Sequence, residues 1–120
     1  MTFNVEVVLK GQDSAVTEAV SVASGEPGTW DDAAVRDVLV EILRAIDRVQ
    51  NPGAPPDRGV VLQGFSWIVE PAEAKSVIAI EIPMGAAVAG PFAIGQTELD
   101  AMITRVLRIE RQLFAPRTVH

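Results

Sequence analysis

The sequence has no side chains for thiol chemistry and almost none for proton transfer near neutral pH. Its 120 residues contain no cysteine and no tyrosine, and the single histidine is the last residue, His120. Without cysteine, disulfides, thiolate nucleophiles and thiolate metal sites are excluded. Because terminal residues are usually poorly ordered, a Ser-His-Asp triad or a zinc site built on His120 is not expected either. We therefore predict no catalytic residues, no metal and no cofactor, and an enzyme is the less favoured interpretation.

Positive charge is also scarce. The formal net charge is −6, from 10 basic and 16 acidic residues, and the isoelectric point is about 4.6. Nucleic-acid binding depends on clustered Lys and Arg, so we expect no nucleic-acid partner. Arginines do accumulate near the end of the chain, where the dipole of a helix C-terminus favours cations. They are Arg105, Arg108, Arg111 and Arg117.

Long hydrophobic runs are missing as well. No segment approaches the roughly 20 consecutive apolar residues that span a bilayer, and the residues after Met1 lack the features of a signal peptide. We therefore expect a soluble, cytoplasmic protein with no membrane partner. Aliphatic side chains are abundant, because hydrophobic residues make up 48% of the sequence and aromatic residues only 5%. That proportion is generous for a small monomer and favours a surface covered by a partner.

Periodic patterns outline the first half of the chain. Residues 3–10 alternate between apolar and other side chains, which predicts a half-buried strand. A turn separates this strand from a second one over residues 15–23, so the two are expected to form a hairpin. Apolar residues at three-four spacing then predict an amphipathic helix over residues 29–50. Thr29 is the expected cap of this helix, with Asp32 three positions later as an approximate capping box.

The second half has a similar order with one unusual segment. Residues 59–70 and 75–82 read as strands of a second hairpin. The segment 83–95 has no charged residue and is rich in glycine and alanine, and the pattern predicts a crossover loop there. A final amphipathic helix is expected to start near Thr97, with Asp100 three positions later.

These elements predict an α+β two-layer sandwich. We expect a four-stranded, mainly antiparallel sheet with two helices on one face, in the chain order ββαββα. Residues 1–120 are interpreted as one domain. Its parts are a ββα unit at 2–51, a connector at 51–58, a second ββα unit at 59–115 and a tail at 116–120.

A near-match to the phosphate-binding loop G-x-x-x-x-G-K-T lies at residues 90–97. Gly90, Gly95 and Thr97 hold the motif positions, but Gln96 replaces the lysine. Because that loop needs its lysine and a parallel strand-helix context, we expect neither nucleotide hydrolysis nor tight nucleotide binding. Free N–H groups at the start of the final helix could still hold an anion.

The 83–95 segment and the tryptophans supply the candidate binding residues. The segment either packs across its own sheet or forms an adaptable apolar lip at a pocket or subunit contact. Trp30 follows a loop with glycine and proline and is a candidate interface anchor. The candidate ligand- or partner-binding residues are Trp30, Met84, Val88, Phe92, Gln96 and Thr97.

Aliphatic residues are also predicted on the sheet face that points away from the helices. A solvated sheet face is normally polar at such positions, so we expect this face to be buried against a second copy of the chain. The predicted dimer face contains Val8, Leu62, Ile68 and Val77.

The sequence therefore favours a non-catalytic binding or assembly module that is a homodimer. The alternative is a small-molecule-binding protein or minor enzyme with a pocket between the sheet, Trp30 and the 83–95 segment. The partner in this alternative would be a small apolar ligand. The binding module, besides pairing with itself, could also bind another protein. A deep pocket rimmed by carboxylates with shifted pKa values would favour the alternative, and a flat apolar patch would favour the module.

Overall fold

The fold consists of one antiparallel sheet and two helices. The computed structural model describes residues 1–55 and 59–114. Within these ranges the chain order is ββαβββα, and the sheet order is β2-β1-β5-β4-β3. The elements are β1 (Thr2–Leu9), β2 (Val16–Ser21), α1 (Asp32–Gln50), β3 (Ser66–Ala72), β4 (Lys75–Ile82), β5 (Gly85–Phe92) and α2 (Gln96–Phe114).

The predicted α+β class is confirmed, but the sheet has five strands rather than four. The 83–95 segment, predicted to be a crossover loop, contains β5, which is the central strand between β1 and β4. Its alanines and glycines have low strand propensity, which explains why the sequence pattern missed it. Small residues suit this position, because a Cβ atom at Gly85 would lie 2.2 Å from the carbonyl oxygen of Val8.

Several element boundaries also differ from the prediction. Helix α1 begins at Asp32, and its cap is Asp31, whose carboxylate accepts a hydrogen bond from the backbone N–H of Ala34 at 2.9 Å. Thr29 instead lies in a short 3-10 turn and donates its hydroxyl to the carbonyl of Glu26. Helix α2 starts at Gln96, which places Thr97 inside the first turn.

Both helices cover the same face of the sheet, as predicted. Helix α1 packs mainly on β1 and β2, and α2 packs mainly on β3 and β4. The hairpin of β3 and β4 is therefore covered mainly by α2. The phase predicted for α1 is confirmed by Leu39, which is fully buried. No helix among the described residues is long and apolar enough to cross a membrane.

The core lies between the two layers and is almost entirely aliphatic. The period-two pattern directs Phe3, Val5 and Val7 of β1 into it. The three-four pattern of α1 directs its apolar side to the same core. The other large core side chains that are fully buried are Val35, Val38, Ile42, Val69, Ile78, Ile80, Phe92, Leu99 and Ile103.

Candidate functional site

The face of the sheet opposite the helices carries an exposed row of apolar residues. Strand register places Val88 of β5 opposite Ala79 of β4, and Ala79 opposite Ile68 of β3. Val88 is 43% exposed and Ile68 is 53% exposed. The row runs along a shallow hollow of about 330 Å³, which also borders Ala86 and Glu81. We refer to Val88, Ala79, Ile68 and Ala86 as the open-face patch.

Charged residues surround the open-face patch. On β1, Glu6 is in register with Val88, and on β4, Glu81 is in register with Ala86. Glu70 follows Ile68 on β3 and pairs with Val77. All three glutamates are exposed. An apolar centre with a charged rim is the usual arrangement of a protein contact surface.

Three of the four residues predicted for the dimer face lie on this open face. Val8 is 44% exposed and lies two residues after Glu6 of β1, on the same open face. Ile68 and Val77 lie on this face in β3 and β4. Leu62 does not, because it lies in the irregular segment before β3 and is buried in the core. The sequence pattern predicted a strand that began at Gly59, and alternation along it placed Leu62 on the open face. Because β3 begins only at Ser66, that alternation does not apply to Leu62.

Trp30 and Phe92, two of the candidate binding residues, are buried in the core and are not surface contacts of the single chain. The indole N–H of Trp30 donates to the carbonyl oxygen of Gly25 at 2.9 Å. Its ring centroid lies 5.2 Å from that of Phe92, and Phe92 lies 5.0 Å from the ring of Phe3. Aromatic pairs at these distances stabilise a core beyond their buried area. They hold the loop before α1 against the end of the sheet.

The residues of the phosphate-loop motif do not form a loop. Gly90 to Phe92 is the end of β5, and the Gln96 side chain donates from Nε2 to the carbonyl oxygen of Val69 at 2.8 Å. Thr97 is exposed in the first turn of α2. Glu98 lies beside Gly95, where an added Cβ would be 3.6 Å from its carboxylate. A carboxylate at this helix start disfavours a bound anion.

Met84 and Trp30 are at opposite ends of the sheet. Met84 lies in the turn between β4 and β5, is 57% exposed, and borders a groove of about 290 Å³. Leu43, Ile46 and Phe65 line the same groove. Met84 and Trp30 therefore do not line one pocket, and the 83–95 segment meets Trp30 through the buried ring of Phe92.

Two ion pairs link the helices. Both guanidinium nitrogens Nε and Nη2 of Arg105 donate to the Asp32 carboxylate at 2.9 Å, and this hydrogen bonding lowers the pKa of Asp32. Arg36 on α1 donates to Glu110 of α2, which is buried. Arg105 of the basic cluster thus has a structural partner, and Arg117 lies outside the described residues.

The described part of the chain contains no group of three acidic, histidine or cysteine side chains that could hold a metal ion. No protein-family model, no curated protein and no solved structure matches the chain. Function is therefore inferred from the residues and their geometry. The exposed apolar side chains of the open face are suited to contact with another molecule rather than to bond making or breaking.

Proposed function

We propose that this chain is a non-catalytic binding and assembly module, and that a second copy covers the open face of its sheet. The observation that supports the proposal is the in-register row of Val88, Ala79 and Ile68 on that face. Burying such side chains is favourable by about 25 cal/mol per Å² of apolar surface. Sheets that pack face to face in this way form the core of ordinary β-sandwiches.

The size of the open face suits a stable contact between two copies. Five strands of six to eight residues, spaced about 4.8 Å apart, give a footprint of roughly 20 Å by 25 Å. With the relief of the side chains, two such faces approach the lower end of the range of about 1,200–2,000 Å² for specific interfaces. The commonest symmetric arrangement of two copies is a twofold dimer.

The charges of the face permit self-association. Its three glutamates, Glu6, Glu70 and Glu81, are accompanied by Lys10 and Lys75 at the ends of β1 and β4. The net charge of the face is therefore close to zero, and repulsion between rim groups is screened at physiological ionic strength. The apolar centre then determines whether the contact forms.

The mass in solution tests the proposal. We expect sedimentation equilibrium at micromolar concentration to give at least twice the chain mass of 12.8 kDa. Ile68→Lys combined with Val88→Lys should halve the measured mass, because two charges would be buried at the centre of the contact. Ile109→Lys is the matched control, because Ile109 is an exposed isoleucine of α2 with the same 53% exposure as Ile68. A monomeric unmodified chain, or a mass unaffected by the double change, would contradict the proposal.

A single cysteine sharpens the test, since the chain has none of its own. Residues near a twofold axis meet their own copies, and Ala79 lies at the centre of the open-face patch. We expect Ala79→Cys to form a disulfide-linked dimer under mild oxidation, whereas Ile109→Cys should not. Equal crosslinking of the two variants would contradict a specific contact through the open face.

A further inference from the structure

The outer edge of the sheet at β2 has backbone groups that point away from the sheet. Val22 donates its N–H to the carbonyl of Met1 at 2.9 Å, and the amino group of Met1 donates to the carbonyl of Val22 at 2.9 Å. Hydrogen-bonded pairs alternate along an antiparallel ladder, so Val20, Glu18 and Val16 also direct their backbone groups toward β1. The backbone groups of Thr17, Ala19 and Ser21 therefore point outward.

The opposite edge, at β3, is blocked in a way that β2 is not. The Gln96 side chain occupies the carbonyl oxygen of Val69, and Pro71 has no N–H to donate. Proteins commonly protect edge strands with proline or lysine, but residues 16–21 contain neither. The residues of β2 with outward backbone groups are Thr17, Ala19 and Ser21, whose small side chains leave room for another strand.

Helix α1 presents a charged stripe above this same edge. Four charged residues of α1 are spaced four, three and four positions apart and therefore share one side of the helix. They are Asp37, Glu41, Arg44 and Arg48. Arg44 bonds to Glu41 within the stripe, and Nε of Arg48 lies 3.9 Å from Glu18 of β2. We refer to these four α1 residues as the α1 stripe. The ion pairs of Asp32 and Arg36 with α2 are on the other side of the helix.

The charges of the α1 stripe are complementary to those of a second α1 stripe that runs antiparallel to it. Its two acids come first and its two arginines follow, so an antiparallel copy would place Asp37 opposite Arg48 and Glu41 opposite Arg44. Opposite charges in this arrangement attract, whereas a parallel copy would place like charges together. Two copies of β2 also run antiparallel when their outward backbone groups form hydrogen bonds with each other symmetrically about Ala19.

A single twofold axis beside β2 would relate both the paired β2 strands and the paired α1 helices. Arg44 and Arg48 line one hollow with Glu18, and Nε of Arg48 lies 3.9 Å from the Glu18 carboxylate, so the neighbouring Ala19 lies beside the α1 stripe. Helix α1 packs on β1 and β2, and strands are spaced about 4.8 Å apart. Two α1 helices related by an axis beside β2 would lie about 10 Å apart, which is a normal distance for packed helices.

We propose that the β2 edge and the α1 stripe form a second self-association surface, which joins two copies into one continuous ten-stranded sheet. Thr17, Ala19 and Ser21 pair with Ser21, Ala19 and Thr17 of the second copy. The occupant is another copy rather than an unrelated extended segment, because an isolated strand would use the backbone groups but not the α1 stripe. The inward-pointing Glu18 does not block pairing, since Arg48 offsets its charge within the same chain.

The axis of this contact is perpendicular to the sheet, and that of the open-face contact is parallel to it. The two surfaces use different parts of the sheet, and both contacts fit in one closed four-chain assembly if their axes intersect. They are also separable by experiment. A chain with Ile68→Lys and Val88→Lys has a disrupted open face, so any dimer that it forms reports on the β2 edge alone.

Charge reversal within that open-face variant tests the edge. Adding Arg44→Glu with Arg48→Glu, or separately Asp37→Arg with Glu41→Arg, gives the α1 stripe a single sign of charge. Each chain alone is expected to be a monomer in sedimentation, with its fold checked by circular dichroism. An equimolar mixture of the two should recover the dimer mass. A mixture of folded chains that stays monomeric would overturn the proposal, as would an open-face variant that is itself a monomer.

Cysteine crosslinking supplies a readout that needs no charge change. Ala19 would face Ala19 of the second copy at a Cα distance of about 5.5 Å, which is within the range for a disulfide. We expect Ala19→Cys to form a linked dimer in the open-face variant. Thr17→Cys is the control, because Thr17 faces Ser21 rather than its own copy. Linkage of both variants to the same extent, or of neither, would overturn the proposed register.

Discussion

The two faces of the sheet are made by the same strands, yet their apolar residues have different surroundings. On the covered face, Ile78 and Ile80 are buried beneath the helices, whereas Val88 and Ile68 on the open face are about half exposed. The open face is also interrupted by Glu6 and Glu81, while the covered face of the central strands is wholly apolar apart from Ser76. The comparison separates residues that fold the chain from residues that are available to a partner.

The largest expected effect comes from equivalent changes on the two faces. Ile80→Ala should lower the free energy of unfolding by roughly 2–5 kcal/mol, because it leaves a cavity in the core. Ile68→Ala removes the same atoms from the open face and should change the stability of the dissociated chain by no more than about 0.5 kcal/mol. Urea unfolding at concentrations below association measures both. Similar losses for the two variants would mean that the open face contributes to folding of the single chain.

A smaller effect is expected at the blocked edge of the sheet. Gln96→Ala removes the hydrogen bond to the Val69 carbonyl and should cost about 0.5–1.5 kcal/mol of unfolding free energy. Thr97→Ala, at the adjacent exposed position, is the control and should change stability little. Hydrogen exchange of α2 and β3 would locate the change. If Gln96→Ala is neutral, the side chain does not protect this edge.

The smallest effect concerns the helix pair that covers the sheet. The pKa of Asp32 is lowered by its hydrogen bonds from Arg105, so its contribution to stability is present above the ordinary value of 3.8 and is lost as the pH falls through the lowered value. Asp32→Asn should therefore be slightly less stable than the unmodified chain at pH 7. The difference should shrink as the pH is lowered below that range. Because the pair is exposed, added salt should reduce the difference as well, and a difference that grows in acid would contradict this assignment.

The strongly periodic elements could be predicted from the sequence. The alternation in β1 and the three-four spacing in α1 gave the correct faces, because burial of one face imposes these periods. The pattern failed at β5, where alanine and glycine carry little strand signal. There the close approach of β1 and the pairing on both sides determine the conformation.

The candidate site could be predicted only in part, for the same reason. Val8, Ile68 and Val77 lie in strands that the pattern identified, so their face followed from alternation. Val88 was singled out as part of an apolar lip, but its position beside Ala79 depends on a strand that was not predicted. Trp30 could not be assigned from local sequence, because its burial depends on Phe92, 62 positions later.

The unequal edges of the sheet determine how far pairing through β2 can extend. When two chains join at β2, both outer edges of the combined sheet are β3, where Pro71 and the Gln96 bond to Val69 leave few backbone groups to offer. A third chain therefore finds no equivalent strand to extend. Growth along the hydrogen-bonding direction stops at two chains, and the fold permits a sheet of defined width without the open-ended addition that produces fibres.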